Sequence, residues 1–346
     1  VIDALRSRIR TQPLSASSPV TMLYYVDWGT VLLYLASFCA FSLILLCTVL
    51  YATASKLPVV LRHEEELYFK DPSRPGVRHR FAHLKDEPSV RLSVIVPAYE
   101  EEKRLPPMLD ECLEYLEARQ AKQPDFTYEV IVVDDGSRDR TSEVGLSYCL
   151  KWGSDKVRVL TLVRNRGKGG AVRLGMLSAR GERLLFADAD GATRFSDLDK
   201  LEQEADTLFQ QSPTAVVVGS RAHLEKESMA ERSILRTFLM LGFHLLVWLF
   251  AVRGVRDTQC GFKLFSREAA QYLFPSLHVE RWAFDVEMLY IAQRLKFPIR
   301  EVAVHWTEIE GSKVVPFWSW LEMGRDLFLI WLRYTIGAWA IAVHPR

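Results

Sequence analysis

Acidic residues follow three apolar segments in the central part of this 346-residue sequence. Asp188 and Asp190 come after LLFA, Asp134 and Asp135 end EVIVVDD, and Glu101 follows VIVPAYE. A single acidic turn commonly caps a helix. Three such turns, each directly after an apolar run, indicate one binding site instead, because ligands of open α/β sheets bind beyond the carboxyl ends of the strands.

The Asp188-x-Asp190 pair is the candidate metal site. Alternate residues of an extended strand point to the same side, so both carboxylates can approach one ion. Hard divalent cations such as Mg²⁺ or Mn²⁺ take oxygen ligands and commonly bridge a carboxylate to substrate phosphates. We therefore expect Asp188 and Asp190 to hold a divalent cation; the alternative interpretation is a solvated turn.

Strands and helices that could position these acids alternate along the chain. Strands are expected at the apolar runs before the acidic turns and at VRVLTLV and TAVVVGSR, and helices at LPPMLDECLEYLEARQ, SEVGLSYCLKWG and GGAVRLGMLSA. This alternation predicts an α/β domain with a mainly parallel sheet that is covered on both faces.

The ordered set of motifs resembles the inverting glycosyltransferase family 2, which has the Rossmann-like GT-A fold. The resemblance runs from about residue 92 to 310 and rests on VIVPAYEEEKRL, VIVVDDGSRDRT, RNRGKGGAVRLG, FADADGAT and GSRAHL. Further on, RDTQCGFKLFSREA and ERWAFDVEMLYIAQ are similar to the polyprenyl-phosphate sugar transferase branch, and HEEE before the domain and VHWTEIEGSKVVPFWSW near the end complete the pattern. The resemblance implies transfer of glucose from UDP-glucose to dolichyl phosphate, giving dolichyl β-D-glucosyl phosphate for protein N-glycosylation.

The resemblance also implies roles for individual residues. Asp188 and Asp190 would hold the metal and the diphosphate, and Arg221 would act in catalysis by binding the acceptor phosphate. Related enzymes usually read PAYNEE, whereas this chain has Glu100 in place of the asparagine; we expect Glu100 to face solvent, because its charge would repel a diphosphate. The other assignments are the nucleotide-sugar pocket (Pro97, Tyr99, Glu101, Asp134 and Asp135 at uracil and ribose, Arg164 and Lys168 at the phosphates), the acceptor phosphate (Arg232, Arg236) and the sugar and acceptor end (Asp257, Gln259, Lys263, Asp285).

A lipid-phosphate acceptor changes what the site must supply. A sugar hydroxyl needs a base to remove its proton as it attacks, whereas a phosphate monoester has a second pKa of about 6 and is already anionic near pH 7. Such an acceptor needs cations, and arginine suits bidentate phosphate binding. We therefore expect Asp285 to have a positioning role; the alternative is a base in an enzyme with a hydroxyl acceptor.

One uncharged run, residues 29–52, is long enough to cross a hydrocarbon layer of about 30 Å. We expect a transmembrane signal-anchor helix there, preceded by a disordered segment (residues 1–28) with translation beginning at Met22, and followed by a polar linker (residues 53–90). The run Glu64–Glu66 is expected to be a solvated helix face. Because Lys56 and Arg62 follow the apolar run, the positive-inside tendency predicts a cytosolic catalytic domain on the endoplasmic reticulum membrane.

The C-terminal part is aromatic-rich. We expect the GT-A catalytic domain to cover residues 91–312 and membrane-interface helices to cover residues 313–346, because Trp318, Trp320, Trp331 and Trp339 suit a membrane interface. The alternative is a helix packed on the domain's own core. A further apolar stretch, residues 237–252, is short for a perpendicular span.

Composition and missing motifs exclude several other classes. The net charge of +1 argues against a nucleic-acid binder. Five cysteines without CxxC indicate neither a disulfide framework nor a zinc site, and RNRGKGG has neither dehydrogenase nor NTPase spacing. Three alternatives remain open: a mannosyltransferase that uses GDP-mannose and dolichyl phosphate, a processive polysaccharide synthase, in which glutamine would replace His278, and a non-catalytic membrane scaffold.

Overall fold

The computed structural model describes four parts of the chain: residues 28–223, 242, 252–309 and 316–342. The chain divides into two compact units between Ala54 and Ser55. The first unit contains helix α1 (Trp28–Thr53), and among the described residues it is the one helix long and apolar enough to cross a membrane. Most of its large apolar side chains are exposed. A helix that is apolar on every side needs an apolar environment, so α1 fits the span predicted at residues 29–52.

The second unit begins with a short hairpin and continues with alternating strands and helices. Its described strands are β1 (Tyr68–Lys70), β2 (Arg78–Arg80), β3 (Val90–Ala98), β4 (Tyr128–Asp134), β5 (Val157–Thr161), β6 (Gly181–Ala187), β7 (Val216–Ser220), β8 (Phe262–Ser266) and β9 (Ile299–Ala303). Its described helices are α2 (Leu105–Lys122), α3 (Thr141–Trp152), α4 (Lys168–Leu177), α5 (Leu198–Gln211), α6 (Arg267–Ser276), α7 (Phe284–Arg294) and α8 (Pro316–Thr335).

Seven strands form the central sheet, in the order β5–β4–β3–β6–β8–β7–β9. β8 is antiparallel to both of its neighbours, and every other neighbouring pair is parallel. The predicted α/β class with a mainly parallel sheet is confirmed. β1 and β2 form a separate antiparallel pair.

Helices cover both faces of this sheet. On β3, Val94 and Val96 face one side and pack with apolar residues of α2 and α5. Ile95 points to the other side, where α4 crosses so closely that a Cβ at Gly175 would lie 2.6 Å from the Ile95 side chain. Side chains alternate along a strand, which explains why the part of β3 that is covered on both faces, residues 94–98, is a continuous apolar run.

The segment predicted to be a linker carries ordered structure. It contains the β1–β2 hairpin, and Phe69 of β1 is buried beneath the guanidinium of Arg158, which lies 4.6 Å from its ring centroid. Glu64 and Glu65 are exposed as predicted, but the prediction is wrong for Glu66, which is fully buried.

Glu66 is buried because it has partners on the catalytic unit. Its carboxylate accepts from Arg166 at 3.1 Å and from the amide of Val163 at 3.1 Å. A buried carboxylate needs such partners to offset its lost hydration. The pair ties the segment before the hairpin to the loop after β5.

The C-terminal helix α8 packs on the rest of the second unit. Met323, Leu327 and Ile330 recur at helical spacing and are buried. Trp339 is buried too: it stacks on His278 at 4.1 Å between ring centroids, which corrects its predicted place at a membrane interface. Trp331 is partly exposed. The side chains of Trp318 and Trp320 lie outside the described residues, as do residues 1–27, Arg232, Arg236 and most of the stretch 237–252.

Candidate active site

The acidic residues lie at the carboxyl ends of neighbouring strands, as the sequence predicts. β3, β4 and β6 are parallel neighbours that end at Ala98, Asp134 and Ala187. β8 runs antiparallel to β6, and the amide of Asp188 donates to the carbonyl of Gly261 at 2.9 Å. The segment before β8 therefore reaches the same edge of the sheet.

Asp188 forms an ion pair with Lys168, the first residue of α4. The ammonium lies 2.7 Å from Oδ1 and 2.9 Å from Oδ2. Burial lowers the pKa of Lys168, but the charges of Asp188 and Asp285 outweigh it and raise the pKa above its usual value. Both side chains keep some exposure, 20% for Lys168 and 27% for Asp188. Lys168 is therefore protonated and paired with Asp188, yet a ligand can reach both side chains.

Asp190 lies in the same turn as Asp188. Burial, and after it the charge of Asp188, raise the pKa of the Asp190 carboxyl. Within the described residues, no three His, Cys, Asp or Glu side chains are arranged as a metal site. Two carboxylates that repel each other still suit a divalent cation, provided substrate and water supply its remaining oxygen ligands.

Gly261 makes room for the Asp188 carboxylate. A Cβ at this position would lie 1.9 Å from Oδ2 of Asp188, so any side chain would displace the acid. Glycine is the residue that permits such a close approach of backbone to a functional group. The glycine of TQCGFK thus shapes the candidate metal site from the loop before β8.

Arg104 is a cation of this site that our reading of the sequence missed. Its Nε and Nη2 donate to Glu101 at 2.7 and 2.6 Å. The hydrogen bond to Glu101 raises the pKa of Arg104, and the charges of Asp190 and Asp188 add to that effect. The basic pair that follows the acids in AYEEEKRL is the signal that could have revealed it.

Asp134 and Asp135 hold the loops beside the site. Asp134 accepts from the amide of Ser137 at 2.9 Å. Asp135 accepts from the amides of Arg166 and Gly167 at 2.7 and 2.8 Å, and burial raises its pKa to about 6. Both residues are only 2% exposed, so in this structure they position the loops beside the predicted nucleotide pocket.

The end of β3 adopts an unusual backbone conformation. Pro97 and Tyr99 are half-buried, and Glu100 is exposed as predicted. Glu100 has a φ of +52°, and its amide donates to the hydroxyl of Ser137 at 2.9 Å. Asparagine tolerates this left-handed region better than glutamate does, which gives a backbone reason for the usual PAYNEE.

Arg164 is exposed in the loop after β5 and has no ion pair within the described part of the chain. A Cβ at Gly136, where φ is +68°, would lie 2.9 Å from the amide nitrogen of Asn165. The loop after β5 therefore packs directly on the turn that follows Asp135. This contact places the Arg164 backbone beside the predicted nucleotide pocket.

Arg221 follows β7 and is held by Asp257. Nε and Nη2 of Arg221 donate to the two carboxylate oxygens at 2.7 and 2.9 Å. Burial opposes both charges, but these hydrogen bonds lower the pKa of Asp257 and raise that of Arg221. Two supports were not predicted from the sequence: Glu301 accepts from the amide of Asp257 at 2.9 Å, and the Trp306 ring lies 5.4 Å from the guanidinium.

Lys263 and Asp285 form a second lysine–aspartate pair. Lys263 is fully buried and Asp285 is 3% exposed. The ammonium donates to Asp285 and, at 2.7 Å, to the carbonyl of Cys260. Burial raises the pKa of Asp285, while the charges of Lys263 and Lys168 oppose the rise. The pair supports the site and has almost no surface for a substrate.

Gln259 connects this region to the C-terminal helix. It is half-buried, and its Nε2 lies 3.2 Å from the sulfur of Met323 on α8. The loop before β8 therefore contacts α8 on one side and delivers Gly261 to Asp188 on the other.

Comparison with known proteins identifies relatives over most of the chain. The family model for Glycosyl transferase family 2 matches residues 93–274. The Dolichyl-phosphate beta-glucosyltransferase of Homo sapiens is 61% identical over 308 residues, covering 88% of this chain and 94% of the relative. Proteins of the same name are 63% identical in Drosophila melanogaster (85% and 90% covered) and 41% identical in Saccharomyces cerevisiae (73% and 78% covered).

Solved structures with a similar outline have much lower identity. Glucosyl-3-phosphoglycerate synthase from Mycobacterium tuberculosis, in complex with Mn²⁺, UDP-glucose and phosphoglyceric acid, is 18% identical with a TM-score of 0.49, covering 73% of this chain and 82% of that one. Mannosyl-3-phosphoglycerate synthase from Rubrobacter xylanophilus is 16% identical with a TM-score of 0.48, covering 71% and 74%.

Proposed function

This chain belongs to glycosyl transferase family 2, and we propose that it transfers glucose from UDP-glucose to dolichyl phosphate. The family match confirms the resemblance seen in the motifs and makes the chain a glycosyltransferase. One observation carries the choice of substrates: identities of 41–63% to proteins named Dolichyl-phosphate beta-glucosyltransferase in animals and yeast.

The proposed reaction is an inverting displacement at C1 of glucose. A phosphate oxygen of dolichyl phosphate forms the new bond to C1, while the bond from C1 to the diphosphate oxygen breaks and its electron pair leaves with UDP. The products are dolichyl β-D-glucosyl phosphate and UDP. The site must stabilise the charge of the leaving diphosphate and hold an anionic acceptor in line with C1.

The donor end of the site would form around Asp188 and Asp190. These carboxylates would hold Mg²⁺ or Mn²⁺, which supplies Lewis-acid stabilisation of the leaving diphosphate. Their mutual repulsion and partial exposure support this assignment. Lys168 would then donate to the diphosphate, and Arg104 would add positive charge. The remaining nucleotide-sugar residues are Pro97, Tyr99, Glu101, Asp134, Asp135 and Arg164.

The acceptor end would form around Arg221. Two of its five N–H donors are used by the side chain of Asp257, so the others can bind the acceptor phosphate while Asp257 fixes the guanidinium plane. Arg232 and Arg236 would join it. Asp257 and Gln259 would shape the sugar and acceptor end, with Lys263 and Asp285 behind them.

Asp285 would not act as a base. Its carboxylate is paired with a fully buried lysine, whereas a general base must lie within hydrogen-bond reach of the proton that it removes. The acceptor phosphate needs no deprotonation near pH 7. The buried pair therefore supports a positioning role for Asp285.

We also propose that α1 anchors the enzyme in the endoplasmic reticulum membrane with the catalytic unit in the cytosol. The domain limits would be those predicted, except that residues 55–90 and the C-terminal helix α8 lie in the same compact unit as the catalytic domain. A glycosylation acceptor engineered at Gln120 should stay unmodified in cells. Efficient modification there would reverse the topology.

The direct test uses the full-length protein in detergent with dolichyl phosphate and labelled nucleotide sugars. We expect label from UDP-glucose in a lipid product that mass spectrometry identifies as dolichyl glucosyl phosphate, and loss of that product in EDTA. Transfer from GDP-mannose with none from UDP-glucose would contradict the proposed donor. Full activity in EDTA would contradict the metal.

A further inference from the structure

The β1–β2 hairpin carries a cluster of basic side chains on its outer face. Side chains alternate along a strand, and the register places Phe69 opposite His79, where the two rings stack at 5.4 Å on the inner face. Lys70, Arg78 and Arg80 share the other face, and all three are exposed.

Two of these cations are direct cross-strand partners. Lys70 lies opposite Arg78, and like charges at such positions destabilise a hairpin. None of the cations forms an ion pair with any residue in the described ranges. The one acid of the hairpin, Asp71, is buried and accepts from Ser73 at 2.6 Å. The outer face therefore holds positive charge that the described structure does not neutralise.

Large apolar side chains are exposed around the same hairpin. Val77 lies at its turn and is 48% exposed. Outside α1, the described residues expose six large apolar side chains. One of them is on the hairpin and two are on the segment that leads to it. Two more lie on α3 and on the loop after β5; the residue Ser154, which follows α3, donates to Asp71 of the hairpin, and the amide of Val163 donates to Glu66. Those five are Val59, Leu61, Val77, Leu150 and Val163. Exposed apolar side chains next to basic ones mark a membrane or protein contact.

We infer that the β1–β2 hairpin docks on anionic phospholipid headgroups of the membrane that holds α1. The inference rests on the proposed membrane anchoring. Residues 54–67 separate α1 from β1, a tether of at most about 50 Å. The cytosolic leaflet carries anionic lipids, and each nearby Lys or Arg favours such docking by roughly fivefold. Val77 would enter the headgroup layer. Docking would keep the catalytic unit close to the plane in which a lipid-bound phosphate lies.

Hydrogen exchange of the full-length protein in lipid nanodiscs tests this docking. Amide exchange over residues 70–80 is compared in discs of phosphatidylcholine alone and in discs with about 30% phosphatidylserine. The hairpin variant is Lys70→Gln/Arg78→Gln/Arg80→Gln. The matched control, Lys122→Gln/Lys296→Gln/Arg300→Gln, removes the same charge from three other exposed positions.

We expect exchange in the hairpin to slow by at least about tenfold in the anionic discs for the wild type and the control variant, and to be the same in both discs for the hairpin variant. High salt should abolish the difference in hairpin exchange between the two kinds of disc, because it screens the charges. Equal wild-type exchange in the two kinds of disc would overturn the inference. A third sample, native membranes, covers a protein partner: hairpin exchange that slows there and in neither disc would indicate an acidic protein and would also overturn the inference.

Two further measurements separate the possible failures. The melting temperature of the hairpin variant should equal or exceed that of the wild type, because opposed like charges are removed. Glucosyl transfer in detergent should be unchanged. If the wild type and both variants show no glucosyl transfer but hairpin exchange still slows in the anionic discs, the proposed reaction is contradicted and the docking is not. If transfer is normal but hairpin exchange is the same in both discs, the docking is contradicted and the reaction is not.

Discussion

Two lysine–aspartate pairs lie close together in this enzyme and differ in their access to solvent. Lys168 and Asp188 keep 20% and 27% of their side-chain surface exposed, whereas Lys263 and Asp285 keep 0% and 5%. The charges of the two pairs act on each other, since Asp285 raises the pKa of Lys168 and Asp188 raises that of Asp285. The same chemistry therefore occurs twice, once open to ligands and once sealed.

The difference in access predicts a difference in role. An exposed pair can exchange its partner for a ligand at little free-energy cost, because water screens the separated charges. A sealed pair cannot open without leaving a charge unpaired in the interior. We expect substitutions in the open pair to affect activity, and substitutions in the sealed pair to affect folding stability first.

The largest effect is expected for Lys263→Met. It leaves Asp285 buried without its cation, and breaking a buried pair typically lowers the free energy of unfolding by about 3–5 kcal/mol. Chemical denaturation of the wild type and the variant in detergent measures the loss.

The double variant Lys263→Met/Asp285→Ala sharpens this test. With both charges gone, at least half of the lost stability should return, and the folded protein should keep measurable transfer. If the double variant folds normally but transfer falls by more than about 10³-fold, Asp285 is a base and the comparison of the two pairs fails.

Asp188→Asn should have the largest effect on activity. The change keeps the side-chain shape but weakens the site for the cation and the diphosphate, so transfer should fall by at least about 10²-fold. Thermal stability should change little, because the pair is partly exposed. Asp125→Asn, at an exposed position before β4, is the matched control. A large drop in melting temperature with normal activity would show that the open pair is structural.

The pair of Arg221 and Asp257 is intermediate between the two lysine–aspartate pairs: the acid is buried, whereas the cation is partly exposed. Arg221→Ala removes charge-assisted hydrogen bonds worth about 1.5–3 kcal/mol each. The KM for dolichyl phosphate should rise roughly 10- to 150-fold, with UDP binding nearly unchanged; Arg221→Lys should restore part of the loss. Weaker UDP binding with an unchanged acceptor KM would move Arg221 to the donor end.

The parallel strands, the acidic edge of the sheet and helix α1 could be predicted, because each depends on a pattern of neighbouring residues. Apolar runs that end in acids gave the parallel strands, and the edge where Asp134 and Asp188 lie followed from that pattern. The uncharged run of α1 was visible for the same reason. In each case the signal lies within a few consecutive residues.

Contacts between distant residues could not be predicted in this way. Glu66 looked like one of three solvated acids, but Arg166, a hundred positions later, makes it a buried ion-pair partner. Trp339 looked interfacial until its stacking on His278 was known. Glu301 behind Asp257 is a similar case. A partner of this kind exists only once the fold has brought the segments together.

The smallest effect is expected at Glu100, next to the proposed donor site. Its left-handed backbone, with φ of +52°, is unfavourable for glutamate and easier for asparagine. Glu100→Asn should therefore raise the free energy of unfolding by up to about 1 kcal/mol. Because Glu100 is exposed, removing its charge should lower the KM for UDP-glucose only slightly, and less at high salt, where long-range repulsion is screened. Glu100→Gln separates the two effects, since it removes the charge and keeps the backbone preference of the longer side chain. If the glutamine variant gains as much stability as the asparagine variant, the effect comes from charge. If neither variant gains stability, the backbone explanation for the usual asparagine fails.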